Sequence, residues 1–351
     1  MELTTDSRPA VLDGLWRLTR GWIDGAHEGP AALVARSVWD SAVRRLADEL
    51  LGPAGLPDSS GLTPGQAETL VKLRAMSAEA SPAVGWDGHL VVIVGCGRSG
   101  TTWLERMLMS APETGGVDGV ESFLFSVAVP LWEGLPDMAP LVDRDQLVAA
   151  LRRFCDTVFA EALAQHTPGA RVFVEKTPKH SLVLPQVAAV YPDASYVHLI
   201  RDGRDVARSI SAIPFFELPD PAAAARLWRH VLTKVRAEAP ALDRYREVRY
   251  EQLIAEPTGQ VGQLLSWLGV DVDEEVVAEL EQRAAQRVST HAGTAQRVGA
   301  GTWRAMPTSS LCRVYAEAGT LLVHEGYATR ADLRSARRHP SYWRQVLTHR
   351  P

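Results

Sequence analysis

Residues 91–104 read VVIVGCGRSGTTWL, an apolar run that turns into a glycine-rich segment and then reopens as a helix. This order predicts a buried strand, a loop with available backbone amides and a helix N-terminus, which together suit a phosphate-like anion. The spacing from Gly95 to Thr102 matches the Walker A pattern except at Thr101, where that pattern has lysine. The cation of this segment is Arg98 instead. By itself the segment suits either an anion site or an ordinary strand-to-helix connection.

A second segment, residues 171–210, predicts strand, helix, strand and helix in turn. Apolar residues at 172–174 and 196–200 indicate two buried strands, and Thr177 followed by Pro178 is typical of a helix start. Strands that alternate with helices predict an α/β fold, with a central parallel sheet flanked by helices as in P-loop proteins.

Arg201 follows the later of these two predicted strands, at the sheet edge where open α/β folds bind ligands. Ser209 stands eight residues further on, about two turns along the next predicted helix. The alternative for Arg201 is a surface arginine paired with Asp202 or Asp205.

Together these motifs resemble the sulfotransferases that use 3'-phosphoadenosine-5'-phosphosulfate, in the branch that includes the tyrosylprotein enzymes. A sulfuryl group carries little charge beside a γ-phosphate, so its loop needs neither the Walker lysine nor a metal ion. Gly97 stands where many members have proline. The match to the family's phosphosulfate loop covers Arg98, Ser99, Gly100, Thr101, Thr102, Trp103 and Leu104.

The same resemblance implies the residues that hold the nucleotide. In the family an arginine and a serine eight residues later bind the 3'-phosphate, which implies this role for Arg201 and Ser209. Tyr250, in the string RYEQL, takes the place of a tyrosine at the adenosine site. The late string AQRVGAGTWR resembles the loop that folds over the nucleotide, which adds Arg297 and Gly299, although its glycine spacing is shortened.

For the chemistry, the resemblance implies a lysine, a base and no metal. Lys176 is one of only four lysines beside thirty-three arginines, and its counterpart stabilises the bridging oxygen of the departing phosphate. Glu121 lies about twenty residues after the phosphosulfate loop, where tyrosylprotein enzymes place their base, and His180 is the second candidate. The alternative for the Lys176 segment is a solvated strand end with Glu175 and Lys179 as surface charges.

Composition bounds the class of protein. A net charge of -5 and a pI near 6.1 argue against a nucleic-acid binder. Three cysteines are too few and too scattered for a disulfide framework or a zinc site, and Cys96 is expected to be a small buried filler. The first residues do not read as a secretion signal, and no run of eighteen apolar residues spans a membrane, so we expect a cytoplasmic protein. The arginine bias suggests a bacterial source, and a homodimer is possible.

We therefore expect a helical N-terminal extension over residues 1–87, a sulfotransferase domain over 88–330 and a C-terminal tail over 331–351. The expected activity is transfer of a sulfuryl group to a hydroxyl of a small molecule, sugar or natural product, as in bacterial secondary metabolism. The rivals are a P-loop kinase, which would need the Walker lysine and a metal-holding aspartate, and a non-catalytic nucleotide-binding protein.

Overall fold

The computed structural model describes residues 6–20, 33–76, 86–139, 141–285, 288–289, 295–296 and 299–348. The strands of its central sheet are β1 (His89–Val94), β2 (Thr114–Gly115), β3 (Val172–Glu175), β4 (Ser195–Ile200) and β5 (Tyr245–Arg249). A separate antiparallel pair consists of β6 (Val288–Ser289) and β7 (Ala295–Gln296).

Helices account for most of the remaining described residues. In chain order they are α1 (Arg8–Arg20), α2 (Arg36–Leu51), α3 (Pro64–Ala75), α4 (Thr101–Leu108), α5 (Leu124–Glu133), α6 (Leu135–Met138), α7 (Arg144–His166), α8 (Leu184–Val190), α9 (Gly203–Ser211), α10 (Pro221–Glu238), α11 (Tyr250–Ala255), α12 (Pro257–Leu268), α13 (Glu274–Ala285), α14 (Thr308–His324), α15 (Arg330–Arg337) and α16 (Pro340–Thr348). Short turns of 3-10 helix include Pro178–Leu182, Pro214–Phe216 and Thr302–Ala305.

The strand order in the central sheet is β2-β3-β1-β4-β5. The strand β2 pairs in parallel with β3, and β4 pairs in parallel with β5, with Tyr196 opposite Tyr245 and Ile200 opposite Arg249. At least one helix separates each of these strands from the next, as parallel pairing requires. The predicted α/β class, with a P-loop-like parallel sheet flanked by helices, is confirmed.

The inner strands are apolar because helices cover both faces of such a sheet. All six residues of β4 are buried, as are five of the six in β1. The predicted strands at 172–174 and 196–200 are therefore confirmed. The carboxyl ends of β1 and β4, which are neighbours in the sheet, lead into residues 95–100 and into Arg201.

The chain divides into two compact units, the first comprising residues 1–91 and 112–194 and the second residues 92–111 and 195–351. In the first unit the N-terminal region forms α1, α2 and α3, as the predicted helical extension requires. Trp39 of α2 packs edge-on against Phe154 of α7, with ring centroids 5.4 Å apart. The extension thus contributes its apolar helix faces to the core of its own unit.

In the second unit, α10 packs against the start of α9. A Cβ on Gly203 would lie 2.5 Å from the ring of Trp228, and the indole nitrogen of Trp228 donates to the carbonyl oxygen of Arg201 at 3.1 Å. This contact holds the main chain at the end of β4. The boundaries at residues 87 and 330 stay predictions. No helix among the described residues combines the length and apolar composition needed to cross a bilayer.

Candidate active site

Residues 95–100, the glycine loop, connect β1 to α4 with two positions where a side chain would not fit. Gly95 has a φ of 146°, and a Cβ there would lie 2.5 Å from the carbonyl oxygen of Leu199. Gly100 has a φ of 101°, and its Cβ would lie 2.6 Å from the ring of Tyr250. Glycine is therefore required at both ends of the loop by backbone angle and by close approach.

Within the glycine loop, Arg98 holds a left-handed backbone with a φ of 71°. Its Nε donates to the hydroxyl of Ser209 at 3.1 Å, and its carbonyl oxygen accepts from Arg201 Nη1 at 3.0 Å. Such a conformation costs about 1–3 kcal/mol and persists where the surrounding contacts impose it. Three residues that the sequence assigned to one nucleotide thus belong to one hydrogen-bonded network.

The first turn of α4 lacks a side-chain cap in the described structure, because its N-cap position is the left-handed Gly100. Thr101 and Thr102 begin the helix, so their backbone amides are among those that a helix start leaves for a ligand. Ser99 Oγ and Trp103 Nε1 are buried and have no hydrogen-bond partner within the described part of the chain. Buried polar atoms of this kind call for a partner, which a bound anion or nucleotide can supply.

Arg201 links the glycine loop to the late loop of the chain. Besides its bond to Arg98, its Nη2 donates to the carbonyl oxygen of Gly299 at 3.0 Å. Its guanidinium lies 4.3 Å from the ring centroid of Tyr250, a cation–π contact. The Nε of Arg201 is buried and without a partner among residues whose placement is described. Burial also raises the pKa of Tyr250, so its hydroxyl stays protonated.

Asp202 and Asp205, the surface partners considered for Arg201, have other partners. The carboxylate of Asp202 pairs with Arg204 at 2.7 Å. Asp205 is buried and accepts three hydrogen bonds from the late loop, from the backbone amides of 301 and 303 at 2.7 Å each and from the hydroxyl of 302 at 2.8 Å. The interpretation of Arg201 as an ordinary surface ion pair is therefore wrong. Arg297 lies outside the described residues.

Cys96 is the other reactive group type within the glycine loop. Its thiol is buried, and burial raises its pKa to about 12. It therefore stays a neutral thiol at physiological pH and fills space, as the sequence predicted.

In the first unit, Lys176 follows directly after β3 and is buried, with only 1% of its surface exposed. Its Nζ lies 3.7 Å from Glu121 Oε1 and 3.5 Å from the carbonyl oxygen of Gly119. Glu121 keeps 26% of its side chain exposed. The solvated strand end that was the alternative here is wrong, because a surface lysine would not be enclosed in this way.

Four side chains beside Lys176, which we call the Glu175 cluster, form a buried polar network: Ser122, Glu175, Thr177 and His180. Glu175 Oε1 accepts from the Thr177 hydroxyl at 2.6 Å and from the Ser122 hydroxyl at 2.7 Å. Its other oxygen accepts from His180 Nδ1 at 2.9 Å. Thr177 precedes a 3-10 turn, but its hydroxyl bonds Glu175 and does not cap that turn, contrary to the predicted role.

The charge of Glu175 is stabilised inside the protein. Burial by itself acts to raise the pKa of this carboxyl, but the imidazole of His180 and the bonds from His180, Thr177 and Ser122 together outweigh it and lower the pKa. Because Nδ1 of His180 donates, the ring carries its proton there. The opposite nitrogen, Nε2, is buried with no hydrogen-bond partner in the described ranges.

The predicted site residues thus fall into two groups. The glycine loop, Arg201, Ser209, Tyr250 and Gly299 are connected within the second unit by the contacts above. Lys176, Glu121 and His180 are connected within the first unit, directly or through the Glu175 cluster.

Two buried carboxylates escaped the sequence analysis. Asp205 was considered only as a surface partner for Arg201, and Glu175 only as a surface charge. For Glu175 a signal was present, since it ends the apolar string VFVE, where a buried strand continues into a charged residue. Nothing in the sequence pairs either residue with donors that lie far along the chain.

Comparison with known proteins bears on this arrangement. A family model described as the sulfotransferase family matches residues 91–274, more than half of the chain. Nodulation protein NoeE of Sinorhizobium fredii (strain NBRC 101917 / NGR234) is 26% identical over 61% of this chain and 57% of that protein. A protein-tyrosine sulfotransferase of Drosophila melanogaster is 26% identical over 54% of this chain and 39% of that protein, so the chain matches well under two thirds of either relative. Among solved structures, sulfotransferase STF9 from Mycobacterium avium is 14% identical, with a TM-score of 0.46 over 91% of this chain and 98% of that one.

Proposed function

Because this chain belongs to the sulfotransferase family, we propose that it transfers a sulfuryl group from 3'-phosphoadenosine-5'-phosphosulfate to a hydroxyl group. The acceptor is a small molecule, a sugar or a natural product. The observation that carries the proposal is the glycine loop without a Walker lysine, tied through Arg98 to Ser209 and Arg201. A cytoplasmic location and a homodimer remain predictions.

The residues of the second unit suit the donor nucleotide. Arg98 to Thr102 would hold the 5'-phosphosulfate with loop and helix amides, hydroxyls and one guanidinium. Arg201 and Ser209 would hold the 3'-phosphate, with Arg297 and Gly299 from the late loop. The unpartnered Ser99 Oγ and Arg201 Nε support this assignment, because both are buried donors that oxygen atoms of an anion can satisfy.

Tyr250 and Trp103 would pack beside the adenosine. Their rings contact each other edge-on, with centroids 6.4 Å apart, and Tyr250 also closes over Gly100. An aromatic pair next to a phosphate-binding loop suits a purine ring, which offers an apolar face. The donor, when bound, supplies the activated sulfuryl group.

The residues of the first unit would supply the proton and charge chemistry. Glu121 would accept the proton of the acceptor hydroxyl as that oxygen attacks, since its carboxylate is partly exposed and paired with an ammonium. Lys176 would donate to the bridging oxygen on which negative charge develops, where a compact buried cation stabilises the transition state more than the ground state. His180 is the second candidate for the base.

Two measurements test the proposal. Calorimetry should show that 3'-phosphoadenosine 5'-phosphate binds at least about tenfold more tightly than ATP with Mg2+, since no Walker lysine serves the terminal phosphates. A transfer assay with the sulfated donor on a panel of phenols, sugars and alcohols should show turnover. Tighter binding of ATP with Mg2+ would favour a P-loop kinase, and tight nucleotide binding without any transfer would favour a non-catalytic protein.

A further inference from the structure

Residues 121 and 122 are neighbours whose side chains bond to different partners at the end of β3. Glu121 pairs with Lys176, whereas Ser122 donates to Glu175 and lies 3.5 Å from the hydroxyl of Thr177. Side chains alternate along an extended chain, so Glu175 and Thr177 share one side of it and Lys176 takes the other. The segment from 119 to 123 therefore crosses the strand end and contacts both sides.

The main chain of this segment is fixed by the same hydroxyls. The amide of Phe123 donates to Thr177 Oγ1 at 3.3 Å, and the amide of Leu124 donates to Ser122 Oγ at 3.3 Å. Phe123 has a left-handed backbone with a φ of 53°, an unfavourable conformation for an aromatic residue. Such a conformation persists only where surrounding contacts impose it, and the Glu175 cluster provides those contacts.

On this basis we propose that the Glu175 cluster is a positioning device that sets Glu121 against Lys176, and that His180 belongs to it as a hydrogen-bond donor and does not accept the proton of the substrate. This inference rests on the proposed function and deepens it. Glu175 acts through its neighbours and is a positioning residue.

The burial of His180 supports this assignment. A general base needs its accepting atom within hydrogen-bond reach of the acceptor hydroxyl. The side chain of His180 is 0% exposed, and Phe125 packs edge-on against its ring with centroids 5.0 Å apart. The carboxylate of Glu121, by contrast, can be reached from solvent.

The position of Glu175 at the centre of the network explains why a charge is buried there. A carboxylate accepts on both oxygens and carries no proton of its own, so it can hold two hydroxyls and one imidazole at once. These donors come from the loop before α5, from the strand end and from the following 3-10 turn. Removal of the carboxylate would release all three segments together.

Two substitutions at position 180 separate a donor from a base. In His180→Asn the amide nitrogen can replace Nδ1 and still donate to Glu175, whereas no atom replaces Nε2. In His180→Leu both nitrogens are lost. We expect kcat of His180→Asn to stay within about threefold of wild type and kcat of His180→Leu to fall roughly 10- to 100-fold, because misplaced groups slow the reaction.

A catalytic base at His180 would give a different result. His180→Asn would then lose as much activity as His180→Leu, on the order of 100-fold or more, and its profile of kcat against pH would lose the limb that the imidazole contributes. Either observation would overturn the proposal. The expected profile for His180→Asn keeps the wild-type shape at slightly reduced height.

A matched pair of variants tests the network without changing an ionisable group at its centre. Thr177→Val removes the hydroxyl that joins Glu175 to the amide of Phe123 while keeping a β-branched shape. Tyr191→Phe removes a hydroxyl bonded to Asp156 at 2.6 Å elsewhere in the same unit. We expect Thr177→Val to lower kcat about tenfold and Tyr191→Phe to leave it unchanged. Equal kcat in the two variants would contradict the proposal.

A spectroscopic measurement does not depend on turnover. In 15N-histidine-labelled wild-type protein, the ring of His180, identified by its loss in His180→Asn, should be the Nδ1–H tautomer over the pH range in which the protein is folded. An Nε2–H tautomer would overturn the positioning role even if the enzyme is active. Failure of the wild type to bind 3'-phosphoadenosine 5'-phosphate or to transfer sulfate would instead overturn the proposed function, and the tautomer would still decide the role of His180.

Discussion

The glycine loop and the Glu175 cluster both lie at carboxyl ends of strands in one parallel sheet, yet they use that position in opposite ways. The glycine loop and Arg201 present donors, and buried Ser99 Oγ and Arg201 Nε lack partners among the described residues. The Glu175 cluster contains its own anion, and both of its oxygens accept hydrogen bonds from within the protein. The comparison teaches that a strand end binds an external anion where its donors exceed its acceptors, and becomes internal structure where a carboxylate satisfies them.

The largest expected effect comes from Lys176→Ala, which removes charge stabilisation next to the cluster. We expect kcat to fall roughly 100- to 1,000-fold, while the dissociation constant of 3'-phosphoadenosine 5'-phosphate changes by less than about threefold. Steady-state kinetics with calorimetry measure both quantities. Lys179→Ala, at an exposed lysine three residues later, is the control and should change neither. Equal losses in kcat and in nucleotide affinity would mean that Lys176 only binds.

The glycine loop should respond in binding and not in the chemical step. Gly100→Ala combines a φ of 101° with a contact at 2.6 Å to Tyr250, so we expect nucleotide affinity to fall about tenfold or more. Gly269→Ala is the matched control, because Gly269 has a φ of 81° but nothing within 4 Å of the added carbon. Both variants should unfold at lower temperature, and only the first should lose affinity. Unchanged affinity in Gly100→Ala would argue against a nucleotide at this loop.

Arg201→Lys should give a smaller effect that is specific to the 3'-phosphate. A lysine keeps the charge but not the planar fork, so we expect about tenfold weaker binding of 3'-phosphoadenosine 5'-phosphate. Affinity for adenosine 5'-phosphosulfate, which has no 3'-phosphate, should change little. Arg208→Lys, at an exposed arginine of α9, serves as the control. The same loss for both nucleotides would place the 3'-phosphate elsewhere.

The smallest effect is a dependence of stability on pH that belongs to the Glu175 cluster. The pKa of Glu175 is lowered in the folded protein from its ordinary value of 4.5, so its contribution is fully present above that value and is lost as pH falls through the folded pKa. We expect Glu175→Gln to lower the free energy of unfolding by about 1–3 kcal/mol at neutral pH, and by less as the pH falls below about 5. Denaturant unfolding at several pH values measures the difference. A difference that is constant with pH would mean that Glu175 is not ionised in the folded state.

Much of the fold could be predicted because its signals are local. The apolar strings at 91–94 and 196–200 form β1 and β4, and Thr63 caps α3 through a reciprocal bond with Gln66. Thr177 shows the limit of such signals. The pair Thr177–Pro178 reads as a helix cap, yet the hydroxyl bonds Glu175, because a buried carboxylate is a stronger acceptor partner for it than a turn that needs no cap.

The amino-acid sequence by itself determined the family, the parallel sheet and the glycine loop, since apolar runs and the backbone freedom of glycine act over a few neighbouring residues. Only the tertiary structure decided which charges are neutralised inside the protein. Ser122 reaches Glu175 from 53 positions earlier, and Gly301 reaches Asp205 from 96 positions later. A carboxylate can be buried only where donors from such distant segments meet it, and no local pattern of residues encodes that meeting.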